Sequence, residues 1–334
     1  MSNLPSPSLT KAAAFHDPAF PSTEDLDAGQ RDLIAAFNRS LGSGEIALEE
    51  APCLCGSTSF DPVAEYERYR IHQPVVICRA CGLVQLRPRM TDAALDWFYG
   101  SDQYRAIYNP HYLALTEERF RSALPHARMA FLDSALAGTK TSTVLEIGCA
   151  AGQNLIHFHE QGKRVVGYDL GPAGLAFGKG LGLDLRPGTH RVVTGGPYDL
   201  IVLSHVMEHF NDPVGAVAAI ATHLSPEGRF YIEVPDNDEF CLGALQNAHV
   251  YYFTERTLLA SLAKAGLEAV SINRCKPHVG VLCRRATAPV APDLGGEYAR
   301  AKTIIQRHDR QQRLKEFLDR LGLLALARKL LGRG

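Results

Sequence analysis

The stretch SHVMEHFNDP, residues 204–213, carries His205, Glu208 and His209 in the order H-x-x-E-H. Two imidazoles and a carboxylate in this order can hold zinc when both histidines share one face of a helix. An imidazole near its ordinary pKa can instead take a proton from a nucleophile. The surrounding sequence separates these readings. YDLIVLS, residues 198–204, reads as a strand, and Asn211-Asp212-Pro213 reads as the capped, proline-started beginning of a helix. Residues 205–209 therefore fall at the carboxyl end of a strand, with no room for a long metal-binding helix.

A second chemical segment is VLEIGCAAGQN, residues 144–154, followed by VVGYD at 165–169. A strand enters a turn containing Gly148 and Gly152, where the backbone can turn sharply and approach a ligand. The following helix start offers free N–H donors. Asp169 ends the next strand, at the distance expected of a carboxylate that grips ribose hydroxyls. A dinucleotide would want G-x-G-x-x-G, but this turn reads Glu146-x-Gly148-x-Ala150-x-Gly152. A carboxylate at Glu146 repels pyrophosphate and favours an ammonium. A nicotinamide cofactor and an amino-acid-bearing one both remain open, as does a turn that binds no cofactor.

These residues need an alternating frame. From residue 143 the sequence alternates strand-like and helix-like stretches: TVLEIG, GQNLIHFHEQG, RVVGYD, PAGLAFGKGLG, YDLIVLS, DPVGAVAAIATHL, GRFYIEVP, ERTLLASLAKAG, LEAVSINR and VGVLCRR. Such alternation predicts a parallel sheet covered on both faces, binding its ligand beyond the carboxyl ends of the strands. The third strand is obscure within LDLRPGTHRVV, and no acid follows it to read an adenine amino group. Backbone near Gly188 or His190 is the expected substitute. Residues 91–140 read as helical, and a helix is predicted over 23–41.

The glycine turn resembles the first motif of class I S-adenosylmethionine-dependent methyltransferases, E/D-x-G-x-G-x-G, with Ala150 in place of the middle glycine. The resemblance covers roughly residues 141–286. It implies an α/β, Rossmann-like doubly wound sheet with an antiparallel last strand. The implied cofactor contacts are Glu146, Gly148, Cys149, Gly152, Asp169, Leu170, Ser204, His205 and Tyr104. HVMEHFNDP is similar to the fourth motif, H-x-x-E-H-x-x-x-P, of small-molecule methyltransferases. In ubiquinone-type O-methyltransferases, E-x-x-E-H at this place is associated with a divalent metal, but here the first position is His205. Glu208 and His209 would then brace the loop and orient substrate, or His209 would act as the base. NAHVYYFTERTLLASLAKAGL, residues 247–267, also resembles a family segment and offers His249 as a second base. Packing of the loop is the plain alternative for each.

Cys53-x-Cys55-Gly and Cys78-x-x-Cys81-Gly form two pairs 22 residues apart. Without a secretory signal, clustered cysteines read as metal ligands rather than disulfides. Four thiolates would close a tetrahedral, structural zinc site that folds a small module. Four buried unligated thiols are the alternative. The pattern C…CG…I-x-C-x-x-C-G-L-V-x-L-x-P-R…Y…Y resembles the segment preceding the core in bacterial methyltransferases that modify sugars or secondary metabolites. In that family Tyr99 and Tyr104 would lie over cofactor or substrate. Cys149, Cys241, Cys275 and Cys283 are scattered and read as small buried side chains.

The expected organisation is a helical arm at 1–50, zinc knuckles at 51–90, a helical cap at 91–140, the S-adenosylmethionine-binding domain at 141–286, and a linker with an amphipathic helical tail at 287–334. Hydrophobic residues are 46% and charged residues 21% of the 334-residue chain, so a buried core is expected. A net charge of -1 argues against global attraction to nucleic acid. No apolar run approaches a membrane span, and a cytoplasmic protein is expected. From residue 297 the tail has ten Lys/Arg and four Asp/Glu. Its apolar stripe can pack on the core, pair with a second chain, or lie on an anionic membrane. The reading is methyl transfer to a small-molecule acceptor, a hydroxyl of a sugar, nucleotide sugar or secondary metabolite. An oxidoreductase and a non-enzymatic zinc-ribbon protein are the rivals.

Overall fold

The computed structural model describes residues 7–22 and 24–323. It divides into two units. One contains residues 90–239 and 253–293; the other contains 1–89, 240–252 and 294–334. The chain thus leaves and re-enters each unit.

The unit built around residues 90–239 is a seven-stranded mixed α/β sheet. Its strands are β1 (Thr143–Ile147), β2 (Arg164–Asp169), β3 (Leu185–Pro187), β4 (Tyr198–Ser204), β5 (Leu224–Pro235), β6 (Leu267–Asn273) and β7 (His278–Arg285). Their spatial order is β6-β7-β5-β4-β1-β2-β3. β1 to β5 run parallel, while β7 pairs antiparallel with both β5 and β6. Central strands are apolar on both faces because helices cover both; Val144, Leu145, Leu200, Ile201, Val202 and Leu203 are all buried. Chain order reverses between β1 and β4. The two connections therefore leave in opposite directions and open a crevice beyond those strand ends. The obscure third strand is only three residues long, too short for a periodic signal.

Local chemistry sets the helix starts. Asp212 accepts from the Gly215 backbone N–H, and Pro213 opens the helix Pro213–Ala221. A Cβ on Gly215 would stand 2.1 Å from the Asp212 carboxylate, so glycine keeps this cap. Thr254 caps Glu255–Lys264 through the Thr257 N–H.

The other unit has a four-stranded antiparallel sheet, ordered Tyr251–Tyr252, Val84–Leu86, His72–Cys78 and Phe60–Tyr66. Val63, Val75, Ile77, Val84 and Leu86 form its core with Leu242, Leu245, Ala301 and Ile305. The first long helix is Ala28–Ser43 rather than 23–41, because Asp27 and Gln30 form a capping box that fixes its start. The tail forms one helix, Glu297–Arg320. Its buried Asp309 accepts from the backbone N–H groups of Lys11 and Ala12, and Glu316 from those of Ala13 and Ala14. Two tail carboxylates thereby satisfy the open start of the helix Ala13–His16. The final run 324–334 and the side chain of Cys241 lie outside the described residues. Among the described residues no helix is long and apolar enough to cross a membrane.

Candidate active site

The crevice beyond β1 and β4 holds a cavity of about 780 Å³, in the range of small-molecule sites. Gly148 turns the chain at φ +71°, and a Cβ there would stand 2.2 Å from Val206 Cγ2. Only glycine lets the ends of β1 and β4 approach this closely. Gly152, at φ +87°, sits a step behind the wall, where a Cβ would strike Leu183. Ala150 also adopts a left-handed conformation, φ +48°. Its N–H donates to Asp169 Oδ2 at 2.8 Å, and Gly171 N–H donates to Oδ1 at 2.7 Å. Asp169 therefore ties the turn to the end of β2, with Arg105 3.8 Å away.

Glu146, Gly148, Cys149, Asp169, Leu170, Ser204, His205, His209 and Tyr104 all line this cavity. So do Gly188, Thr189 and His190, the backbone stretch expected near an adenine. Glu208 is 1% exposed and lies beneath His205 and His209. His249 belongs to the other unit, where it is buried beside Gln246 and Tyr252.

Residues without an obvious sequence signal complete the floor. Arg128 Nε donates to Glu233 Oε1 at 3.0 Å, and its Nη1 donates to Asn154 Oδ1 at 2.8 Å. Asn154 in turn donates to Glu146 Oε1. Burial raises the Glu146 pKa to about 8, with the Asn154 amide and the Arg128 charge opposing the rise only in part. Its Oε2 is buried with no hydrogen-bond partner among the described residues. His205, at φ +55°, lies 3.3 Å from Glu233 and 3.7 Å from Glu208. Burial disfavours its charge, but these carboxylates outweigh burial and lift its pKa to about 9. It is therefore an imidazolium at neutral pH and has no site for an incoming proton. Glu233 is pulled well below the usual range: burial opposes its charge, but His205 and Arg128 prevail. His278, its ring 4.4 Å from that of His205, is lowered to about 4 by burial and by the His205 charge. Arg128 and Tyr231 occupy the Glu233 oxygens, so this group is an ion-pair network rather than a metal shell.

The remaining wall is aromatic. Tyr99 and Tyr104 stand 5.0 Å apart, and each packs edge-on against His209. The Tyr99 hydroxyl is 2.7 Å from His209 Nδ1. Burial keeps this phenol protonated, reinforced by the negative charge of Glu208.

In the other unit the four thiols of Cys53, Cys55, Cys78 and Cys81 lie within 4.8 Å of one another. Cys53 and Cys81 sulfurs are 3.4 Å apart, and those of Cys55 and Cys78 are 3.6 Å apart. A tetrahedral zinc with bonds of about 2.3 Å separates its sulfurs by about 3.8 Å. Gly56 and Gly82 follow the pairs at φ +90° and +73°, making the tight turns of two knuckles. All described cysteines are free thiols.

Residues 116–272 match the model of a family described as a methyltransferase domain. Sheet order, glycine-turned cavity and this match together support a methyltransferase domain of the class I fold. Among curated proteins, the chain is 30% identical over 114 residues to a ubiquinone biosynthesis O-methyltransferase of Aeromonas salmonicida (strain A449), covering 31% of this chain and 48% of the relative. The protein of that name from Methylobacterium sp. (strain 4-46) is 27% identical over 151 residues, 43% of this chain and 59% of the relative. The chain thus spans about half the length of the curated relatives it matches. A solved 1,6-didemethyltoxoflavin-N1-methyltransferase from Burkholderia thailandensis, with S-adenosylhomocysteine bound, aligns with a TM-score of 0.47 and 21% identity, over 64% of this chain and 96% of that one.

Proposed function

We propose that this protein methylates a hydroxyl of a small molecule, using S-adenosylmethionine. The observation that carries the reading is the pairing, in one cavity, of Glu146 and Asp169 with the Gly148 turn. Glu146 offers a buried, unpaired carboxyl oxygen to a cationic amino-acid group. Asp169, at the end of β2, and the backbone at 188–190 line the same cavity; in this reading the first would take the ribose hydroxyls and the second the base. A bound S-adenosylmethionine would supply an electrophilic methyl group on a good leaving group.

The residues of this chain then have two tasks. Tyr99 and Tyr104 hold the acceptor against the cavity wall, where alignment supplies most of the rate. Tyr99 and His209 carry away its proton: the acceptor O–H gives its proton to the Tyr99 oxygen as the phenol passes its own to His209 Nδ1. Glu208 stands beneath and balances the imidazolium. The sugar suggested by the sequence gains no support, since the relatives are named for ubiquinone biosynthesis and for an N1-methylation.

The four cysteines fit a structural zinc ion: they offer four sulfurs at nearly tetrahedral separation and leave no open position. Ligand-induced melting shifts test the cofactor. S-adenosylhomocysteine should raise Tm and NAD(P)H should not; a shift with NAD(P)H alone would reverse the assignment to the oxidoreductase reading.

A further inference from the structure

The helix Glu297–Arg320 has two unlike sides. Ala301, Ile305, Asp309 and Glu316 are buried, at spacings of four, four and seven residues. On the opposite side run Arg307, Arg310, Leu314, Phe317 and Leu321, at alternating spacings of three and four. This stripe faces out: Leu314 is 58%, Phe317 59% and Leu321 55% exposed. Arg313 and Arg320 are exposed beside it. Three large apolar side chains in one row on a solvent face need a partner.

Charge identifies the partner. The four acids of this helix lie elsewhere: Asp309 and Glu316 are committed to the N–H groups of residues 11–14, Glu297 pairs with Arg300, and the exposed Asp319 falls on the far side of the helix from the stripe. A second copy packed stripe to stripe would bury Arg307 and Arg310 with no acid on the stripe to answer them. An anionic lipid surface answers both halves of the pattern. Its headgroups meet the arginines, and its acyl boundary takes Leu314, Phe317 and Leu321. We propose that this face docks the protein peripherally on anionic membranes, with the helix lying in the surface plane.

Flotation of the full chain with vesicles tests this. The protein should float with phosphatidylglycerol–phosphatidylcholine vesicles at low salt and stay behind with phosphatidylcholine alone. The bound fraction should fall about 10-fold or more in Leu314→Gln/Phe317→Gln/Leu321→Gln, and by a similar factor in Arg307→Glu/Arg310→Glu. These residues are exposed and glutamine keeps helix propensity, so an unchanged Tm shows that folding is intact. No flotation of the unaltered chain overturns the proposal, as does flotation that either variant retains. A dimer in solution that the triple variant converts to monomer, without vesicle binding, would assign the stripe to a second copy instead.

Discussion

His209 is held between two groups of opposite character: the Tyr99 hydroxyl lies 2.7 Å from its Nδ1, and Glu208 Oε1 lies 3.9 Å from its Nε2. With the phenol as donor to Nδ1, the tautomer the proposed relay requires, the ring proton sits on Nε2, toward the carboxylate. In that tautomer the ring can accept a proton through Tyr99. At saturating cofactor, His209→Ala should lower kcat by about 100-fold or more, and Tyr99→Phe should fall with it. If Tyr99→Phe keeps nearly full kcat while His209→Ala loses it, the proton reaches His209 directly. If both stay within about 2-fold, the pair only braces the loop.

Glu146 makes the empty cavity sensitive to pH. Its folded pKa is raised to about 8, so the folded state holds a proton that the unfolded chain releases near the ordinary carboxyl value. Stability from this group is complete below that ordinary value and is lost as pH rises toward 8. Glu146→Gln removes the charge and keeps the Asn154 contact. The variant should gain Tm relative to the parent at pH 8.5 but not at pH 4, while binding S-adenosylhomocysteine more weakly. A Tm difference that does not change with pH would show that Glu146 is not the titrating group.

Ala150 occupies a backbone conformation that suits glycine. A left-handed Cβ costs about 1–2 kcal/mol, against about 0.5–1 kcal/mol for the extra chain freedom of glycine. Ala150→Gly should therefore stabilise the protein by about 0.5–1 kcal/mol in urea denaturation. A loss of stability would mean that the methyl group makes packing contacts worth more than the backbone strain.

What the sequence disclosed follows from what is local. The β1 turn, the Asp212 cap and the alternation of strands are short-range patterns, and they are legible from residue 143 onward. The ion-pair floor is not local. Arg128 reads as one more basic residue of an amphipathic helix, and only folding brings it to Glu233, 105 residues away. Glu233 did leave a trace, since it interrupts the buried strand FYIEVP as Glu146 interrupts VLEIG. The role of His205 was likewise invisible: its charge comes from two carboxylates that converge only in the fold. The joining of residues 11–14 to the tail depends on Asp309 and Glu316, whose spacing reads as ordinary helix surface.

The thiol cluster gives a last expectation, confined to its own unit. Around it, Val75, Ile77, Val84 and Leu86 supply a modest core that two knuckles must hold in register. Bound zinc would contribute directly to folding there. Elemental analysis of the purified protein should find one zinc per chain. Cys55→Ser, at the exposed member of the four, should lose most of it and lower Tm by about 5 °C or more. Affinity for S-adenosylhomocysteine should change by no more than about 2-fold, because a closed four-thiolate shell has no open position for chemistry. A metal-free protein that melts like the parent would show the cysteines to be four buried thiols, and a collapse of cofactor affinity would show that the metal does more than hold its unit together.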